Sequence, residues 1–199
     1  MILLFGLIFI TTTSHSQIEY GIIVGMNSSR LTNKFHSTNG NYFNLSSLGI
    51  SFGGFAEIEL SEKLTFYPKL IFNQIGDRES NYENELYTDA LDYKLDYISI
   101  PLNFKIFKKP YIVLGPQLSY LINVKKLSED FGDLDSKFDF GGNIGIGYEF
   151  NRINLELLFY QGLINILEVD RGSNSGFSDQ VFEIRNNYLN LSISYSILK

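Results

Sequence analysis

Two histidines, His15 and His36, are the only imidazoles available for general-base work near neutral pH, and the chain contains no cysteine. A serine activated for acyl transfer or deacylation needs such a base within hydrogen-bond reach and a third group to orient it. His36 is followed by Ser37 and Thr38, but adjacency in a polar loop is not a triad. His15 falls in an apolar leader. Without cysteine there is no disulfide framework, no thiolate zinc site and no lipid-modified thiol. The run from Glu129 and Asp130 to Asp133 and Asp135 could offer oxygens to Ca²⁺. It lacks the glycine at the sixth loop position and the glutamate at the twelfth that an EF-hand requires, so it reads as a solvated acidic loop. Gly145-Ile146-Gly147 is not a phosphate cradle, because no helix follows whose N-terminus could hold the anion. Three sequons, at Asn27, Asn44 and Asn190, are matches expected by chance. A net charge of −6 without a cluster of Lys and Arg argues against nucleic acid. The residues predict no enzyme, no cofactor and no metal centre.

What remains is a set of polar residues embedded at alternate positions in apolar stretches. Glu19, Glu57, Glu59, Lys69, Asn103, Lys105, Gln117, Asn143, Glu149, Asn154, Glu156 and Asn190 each share a phase opposite to a run of Ile, Leu, Phe and Tyr. Charges of both signs in that position predict pairing with one another, since an unpaired buried charge is costly.

The elements that would carry them are strands. The composition favours strands, with 17 Phe, 13 Tyr, 17 Gly and 4 Pro. Period-two alternation covers Ile18 to Met26, Ile50 to Leu60, Leu64 to Phe72, Ile98 to Ile106, Ile112 to Ile122, Phe138 to Phe150, Ile153 to Tyr160 and Leu189 to Ile197. That makes about eight strands, each near the 9–11 residues a tilted strand needs to cross a bilayer. Tight polar turns at 61–63, 108–110 and 151–152 alternate with long connections at roughly 28–47, 76–92, 123–137 and 168–187, rich in Asn, Ser, Asp, Glu and Gly. Short periplasmic turns and long extracellular loops give an outer-membrane barrel this rhythm. The apolar phase is nearly free of charge, as lipid contact demands, and the polar phase carries Gly21, Gly25, Gly53, Gly115, Gly141, Gly145 and Gly147, which suits a narrow crowded interior. A soluble lipocalin-like carrier would turn the same apolar face inward, and a β-sandwich gives no reason for the long–short rhythm.

Ahead of the strands, Ile2 to Ile10 is apolar but too short to span a bilayer as a helix. Followed by Ser14 and Ser16, it predicts a signal peptide over residues 1–16 and a barrel domain over 17–199, although no Lys or Arg precedes the apolar run.

Several stretches taken together resemble the Bacteroidetes-type outer-membrane β-barrel proteins known as PorT-like or porin-family proteins. They are Tyr20 to Asn27, Gly53 to Glu57 with Leu64 to Leu70, Leu95 to Leu102, Leu114 to Tyr120 and Phe138 to Phe150. Barrels of this kind often finish on an aromatic residue, whereas this sequence finishes Ile197-Leu198-Lys199. The resemblance implies the fold and the outer membrane, and it suggests accessory work in secretion or envelope assembly.

The expectation is therefore a single antiparallel up-and-down transmembrane β-barrel, all-β, with both termini periplasmic. It is an integral, non-enzymatic protein whose narrow lumen is plugged by side chains, surrounded by outer-membrane lipid and lipopolysaccharide, with secretion or envelope proteins as partners. The alternative is a narrow passage for ions or small solutes.

Overall fold

The computed structural model describes residues 18–33, 47–76, 93–126, 136–170 and 181–198. Within them the chain forms β1 (Ile18–Asn33), β2 (Ser47–Ser61), β3 (Leu64–Gly76), β4 (Tyr93–Ile106), β5 (Tyr111–Lys126), β6 (Phe138–Phe150), β7 (Ile153–Gly162), β8 (Leu167–Asp170) and β9 (Val181–Leu198). Each consecutive pair from β1 to β7 is antiparallel, β7 pairs with β9, and β9 returns to β1. This closes an eight-stranded barrel. Closure leaves no sheet edge, the condition for placing strands in hydrocarbon, where an unpaired backbone amide finds no water.

The short strand β8 adds no stave. β7 lies along β9 from Ile153↔Tyr195 to Gln161↔Asn187, and β8 resumes on it at Leu167↔Ile184. Together they form one stave broken at residues 163–166.

Alternation decides which medium each face meets. Along β6 the odd residues from Asp139 to Gly147 turn inward, while Phe138, Phe140, Ile144, Ile146, Tyr148 and Phe150 are exposed. The same holds around the ring, with Ile18, Ile22, Val24, Leu114, Leu157 and Ile193 outward. On β1 the outward apolar run from Ile18 to Met26 spans roughly 20 Å after allowing for strand tilt, close to the apolar band of a bilayer barrel. An apolar exterior around a polar interior is the reverse of a soluble ligand carrier.

Four strands run further than side-chain alternation indicates. β1 continues through Ser28 to Asn33, opposite Leu189 to Ile184 of β9. β5 continues to Lys126, and β4 starts at Tyr93. Backbone pairing does not require an apolar face, so the ladder persists where both faces are polar; the long connections are correspondingly shorter than 28–47, 76–92, 123–137 and 168–187. The residues of the expected signal peptide, His36 and the acidic 129–135 run lie outside the described residues.

The tight turns sit together at one end, here the turn end, beside the start of β1 and the end of β9. Phe107 and Asn151 take left-handed backbone conformations there (φ 69° and 55°). Gly53 packs its backbone against β3 so closely that a methyl group would stand 2.0 Å from Leu70 O.

Candidate functional site in the barrel interior

Inward-facing side chains divide the lumen into three zones along its axis. Nearest the turn end is an ionic zone. Lys105 Nζ donates to Glu57 Oε1 at 2.5 Å and lies over the rings of Tyr67 (3.9 Å) and Tyr111 (4.4 Å). Lys69 on β3 pairs with Glu156 on β7 across the lumen, and its ammonium also faces Tyr67 (4.4 Å). The Lys69 and Glu156 side chains are only 2% and 3% exposed. Tyr67, fully buried, offers its ring to both ammonium groups, and the ring attracts each of them. Gly147 makes room for this arrangement: a methyl there would stand 2.2 Å from Tyr111 Cζ.

The middle zone is a ladder of amides and hydroxyls. Asn143 Nδ2 donates to Asn103 Oδ1 (3.1 Å), and Tyr188 Oη to Gln117 Oε1 (3.1 Å). Gln117 Nε2 donates to Ser119 Oγ (3.0 Å), and Asn73 Nδ2 to Ser99 Oγ (3.0 Å). On the neighbouring staves Asn190 Nδ2 donates to Asn27 Oδ1 (2.7 Å) and Ser51 Oγ (2.8 Å). A cavity of about 10 Å³ lies where this ladder meets Lys69, lined also by Asn73, Gln117, Tyr188 and Asn190. That is room for about one water molecule.

The far zone is largely apolar. Ile75, Leu95, Leu121 and Ile166 are buried together with Tyr97 and Tyr160. Ile166 belongs to the break between β7 and β8. Two carboxylates accompany them. Asp96 accepts from Gln74 Nε2 (2.9 Å) and Asn123 Nδ2 (2.8 Å), and Asp139 accepts from Asn186 Nδ2 (2.8 Å).

Of the residues singled out in the sequence, Lys69, Asn103, Lys105, Gln117, Asn143, Asn154, Glu156 and Asn190 are buried inside the barrel. Glu57 is half-buried in the ionic zone, and Glu19 stands opposite it on β1, also half-buried. Glu149 is half-buried near the turn end, 3.6 Å from Lys109 Nζ. Glu59 differs: it is exposed at the rim, where it accepts from Lys108 Nζ at 2.7 Å. Glu59 still pairs with the buried Thr65 of β3, but β1 begins only at Ile18 opposite Ile58 and the β2–β3 pairing is irregular between Glu59 and Ser61, so the side chain stands at the open mouth of the barrel. That hydrogen bond holds the Lys108 ammonium above its usual pKa.

Side chains not singled out complete the filling: Tyr67, Tyr111, Tyr160, Tyr188, Asn27, Asn73, Asp139 and Asn186. Their signal in the sequence was the phase alone, and a tyrosine fits either face. Among the described residues no group of three or more His, Cys, Asp or Glu could hold a metal ion.

Comparison with known proteins agrees with this geometry. Neisserial surface protein A (NspA) superposes with a TM-score of 0.52 at 14% identity, over 89% of this chain and 97% of its own. The attachment invasion locus protein Ail of Yersinia pestis, solved with the heparin analogue sucrose octasulfate, gives 0.45 at 15% identity over 91% and 99%. The outer membrane protein AlkL, determined in lipid bilayers, gives 0.47 at 12% over 94% of each. At 14% identity the likeness to NspA concerns the fold alone. No curated protein sequence matches the chain. A family model does, over residues 12–168. With strands that turn their apolar phase outward and close on themselves, the chain belongs to the family of the outer membrane protein beta-barrel domain.

Proposed function

We propose that this protein is a non-enzymatic outer-membrane barrel whose lumen is sealed by its own side chains. On this reading residues 1–16 direct export, the termini and tight turns face the periplasm, and the long connections face outward. Its work then lies in contacts made by those connections or by the turn end, as an accessory to secretion or to envelope assembly, while the apolar belt holds lipid and lipopolysaccharide.

The observation that carries the sealed lumen is the buried Lys69–Glu156 pair crossing it, backed by Tyr67 and Lys105. A water-filled pore would leave these groups hydrated. Here they are desolvated, and the space beside them admits about one water. Long-lived conductance in a planar bilayer separates the readings. Purified protein inserted at neutral pH and moderate salt should give no steady channels; reproducible unitary currents would overturn the seal and favour a narrow passage. Recovery from outer membranes without any secretion or envelope protein would count against the accessory role.

A further inference from the structure

The outer wall of a barrel is convex, and along most of this one the outward phase is filled by Ile, Leu, Phe or Tyr. One stretch differs. Pro116 on β5 and Gly142 on β6 are register partners in that phase, and a methyl group added at Gly142 would meet nothing within 4 Å. They form the floor of a groove of about 650 Å³, walled by Leu64, Phe104, Leu114 and Leu163 among others. That is the size of a site for a small molecule.

The groove crosses the strands at an angle that cancels their tilt. Register partners followed once round the barrel from Ile18 return to β1 at Ser28, ten residues nearer the far end. A row of partners therefore climbs towards that end from β1 to β9, and the strands lean the other way by roughly 40°. The groove adds to the climb. Phe104 lies two residues nearer the far end than Ile106, the partner of Leu64. Pro116 lies two beyond Leu114, the partner of Phe104, and Leu163 two beyond Gln161, the partner of Gly142. A gain of about 20 Å along the strands over about 19 Å across them sets the groove midway between strand and row. It runs close to the barrel axis, parallel to the chains of the surrounding lipid.

Hydrocarbon covers this wall, because the apolar phase of an outer-membrane barrel meets lipid. An empty groove there forfeits dispersion contacts along its lining, and a straight acyl chain regains them without bending. A cation stands at the far mouth. Asn187 is the partner of Gln161, so Arg185, two residues further in the same phase, is level with Leu163. Its Nε donates to Asn165 Oδ1 at 2.9 Å, and a guanidinium matches the oxygens of a phosphate. We propose that this groove seats one acyl chain of lipopolysaccharide, with Arg185 receiving a phosphate of the same molecule. The choice of lipopolysaccharide rests on the outward-facing far end proposed above; the groove rests on the barrel alone.

The full chain, refolded in a non-ionic detergent, is titrated with lipid A, dephosphorylated lipid A or phosphatidylglycerol, and retained lipid is counted by native mass spectrometry. Wild type should keep one lipid A per barrel at concentrations where phosphatidylglycerol is lost. Gly142→Leu fills the floor where the wall leaves room, so the barrel should fold and hold lipid A more weakly, by about tenfold. Arg185→Gln should lose about tenfold, the worth of a charge-assisted hydrogen bond, and cease to distinguish lipid A from its dephosphorylated form. Glu183→Gln removes the acid nearest Arg185 along β9 and should strengthen retention, whereas Val24→Leu on β1 should leave it unchanged. Equal retention by Gly142→Leu and wild type overturns the groove. So does equal retention of all three lipids, or a lipid-free dimer that Gly142→Leu breaks. Should Gly142→Leu not fold, Arg185→Gln decides, and undiminished retention overturns the proposal. Orientation is read separately from Lys63→Cys, at the turn end, which should resist a membrane-impermeant maleimide in intact cells. Reaction there overturns the outward-facing far end and the choice of lipopolysaccharide, whereas protection without retained lipid A overturns the groove alone.

Discussion

Replacing Glu156 with Gln leaves the volume of the lumen nearly unchanged and removes one charge from a pair whose side chains are only 2% and 3% exposed. The Lys69 ammonium then stays buried with an amide and the Tyr67 ring 4.4 Å away. Removing one partner of a buried pair costs about 3–5 kcal/mol. The ring retains a cation–π contribution of roughly 0.5–2 kcal/mol, which puts Glu156→Gln near the lower end, about 3 kcal/mol. The double change Lys69→Met with Glu156→Leu removes both desolvated charges and should restore most of that loss, or exceed the parent by about 1–4 kcal/mol. The chain has no tryptophan, so urea unfolding in phospholipid vesicles is best read by gel mobility and circular dichroism. A Glu156→Gln loss below about 1 kcal/mol, the range of an exposed pair, would refute the argument that this pair is desolvated. So would a double variant no more stable than the worse single one.

Three further outcomes follow from the same geometry. Gly53→Ala should destabilise by about 1–3 kcal/mol, because its methyl meets Leu70 O at 2.0 Å; Gly142→Ala, with nothing within 4 Å, should be neutral or gain about 0.5 kcal/mol, and equal effects in urea unfolding would contradict the registers of β2–β3 and β5–β7. Ile144→Arg, in the middle of the outward face of β6, should cost about 2–4 kcal/mol in lipid vesicles, whereas a loss below 0.5 kcal/mol would mean that the face does not meet hydrocarbon. Lys108 should titrate above an ordinary lysine by NMR, and Glu59→Gln should bring it down. Its pKa is raised on folding, so its small contribution to stability is complete below the unfolded value and fades as pH rises through the folded one, and added salt should weaken it.

How far the sequence can be read differs between wall and filling. Strand β6 is legible to the residue, because Phe138 to Phe150 alternates strictly between aromatic or aliphatic residues and small or polar ones, and lipid enforces that pattern. The outer reaches of β1 and β9 are not, since Ser28 to Asn33 pair through the backbone, and water imposes no alternation on side chains. Inside, the charged residues betray their phase, but their pairing does not follow from it. Lys69 and Glu156 lie 87 positions apart, and only the stagger of the closed barrel brings them level. The far zone is the least legible part. Ile75, Leu95 and Leu121 are buried among inward residues, in a phase that polarity alone assigns to charged and amide side chains. The break at residues 163–166 is hidden for a related reason: it needs only one stave to lose its pairing for one turn of chain.

The seam between β1 and β9 also governs how this protein can be made. Met26 and Asn190 meet across it although 164 positions separate them, so the first strand must wait, unpaired on one side, until the last is delivered. Entropy is a minor obstacle, as each doubling of a loop adds only about 0.6 kcal/mol. Time is the larger one, because pairings so distant form late and slowly. During that interval two apolar-faced strands present open edges, the arrangement most prone to join with a neighbouring chain. Until β1 and β9 meet, therefore, the edges that the finished barrel hides from one another stay open, and only closure of that seam removes them.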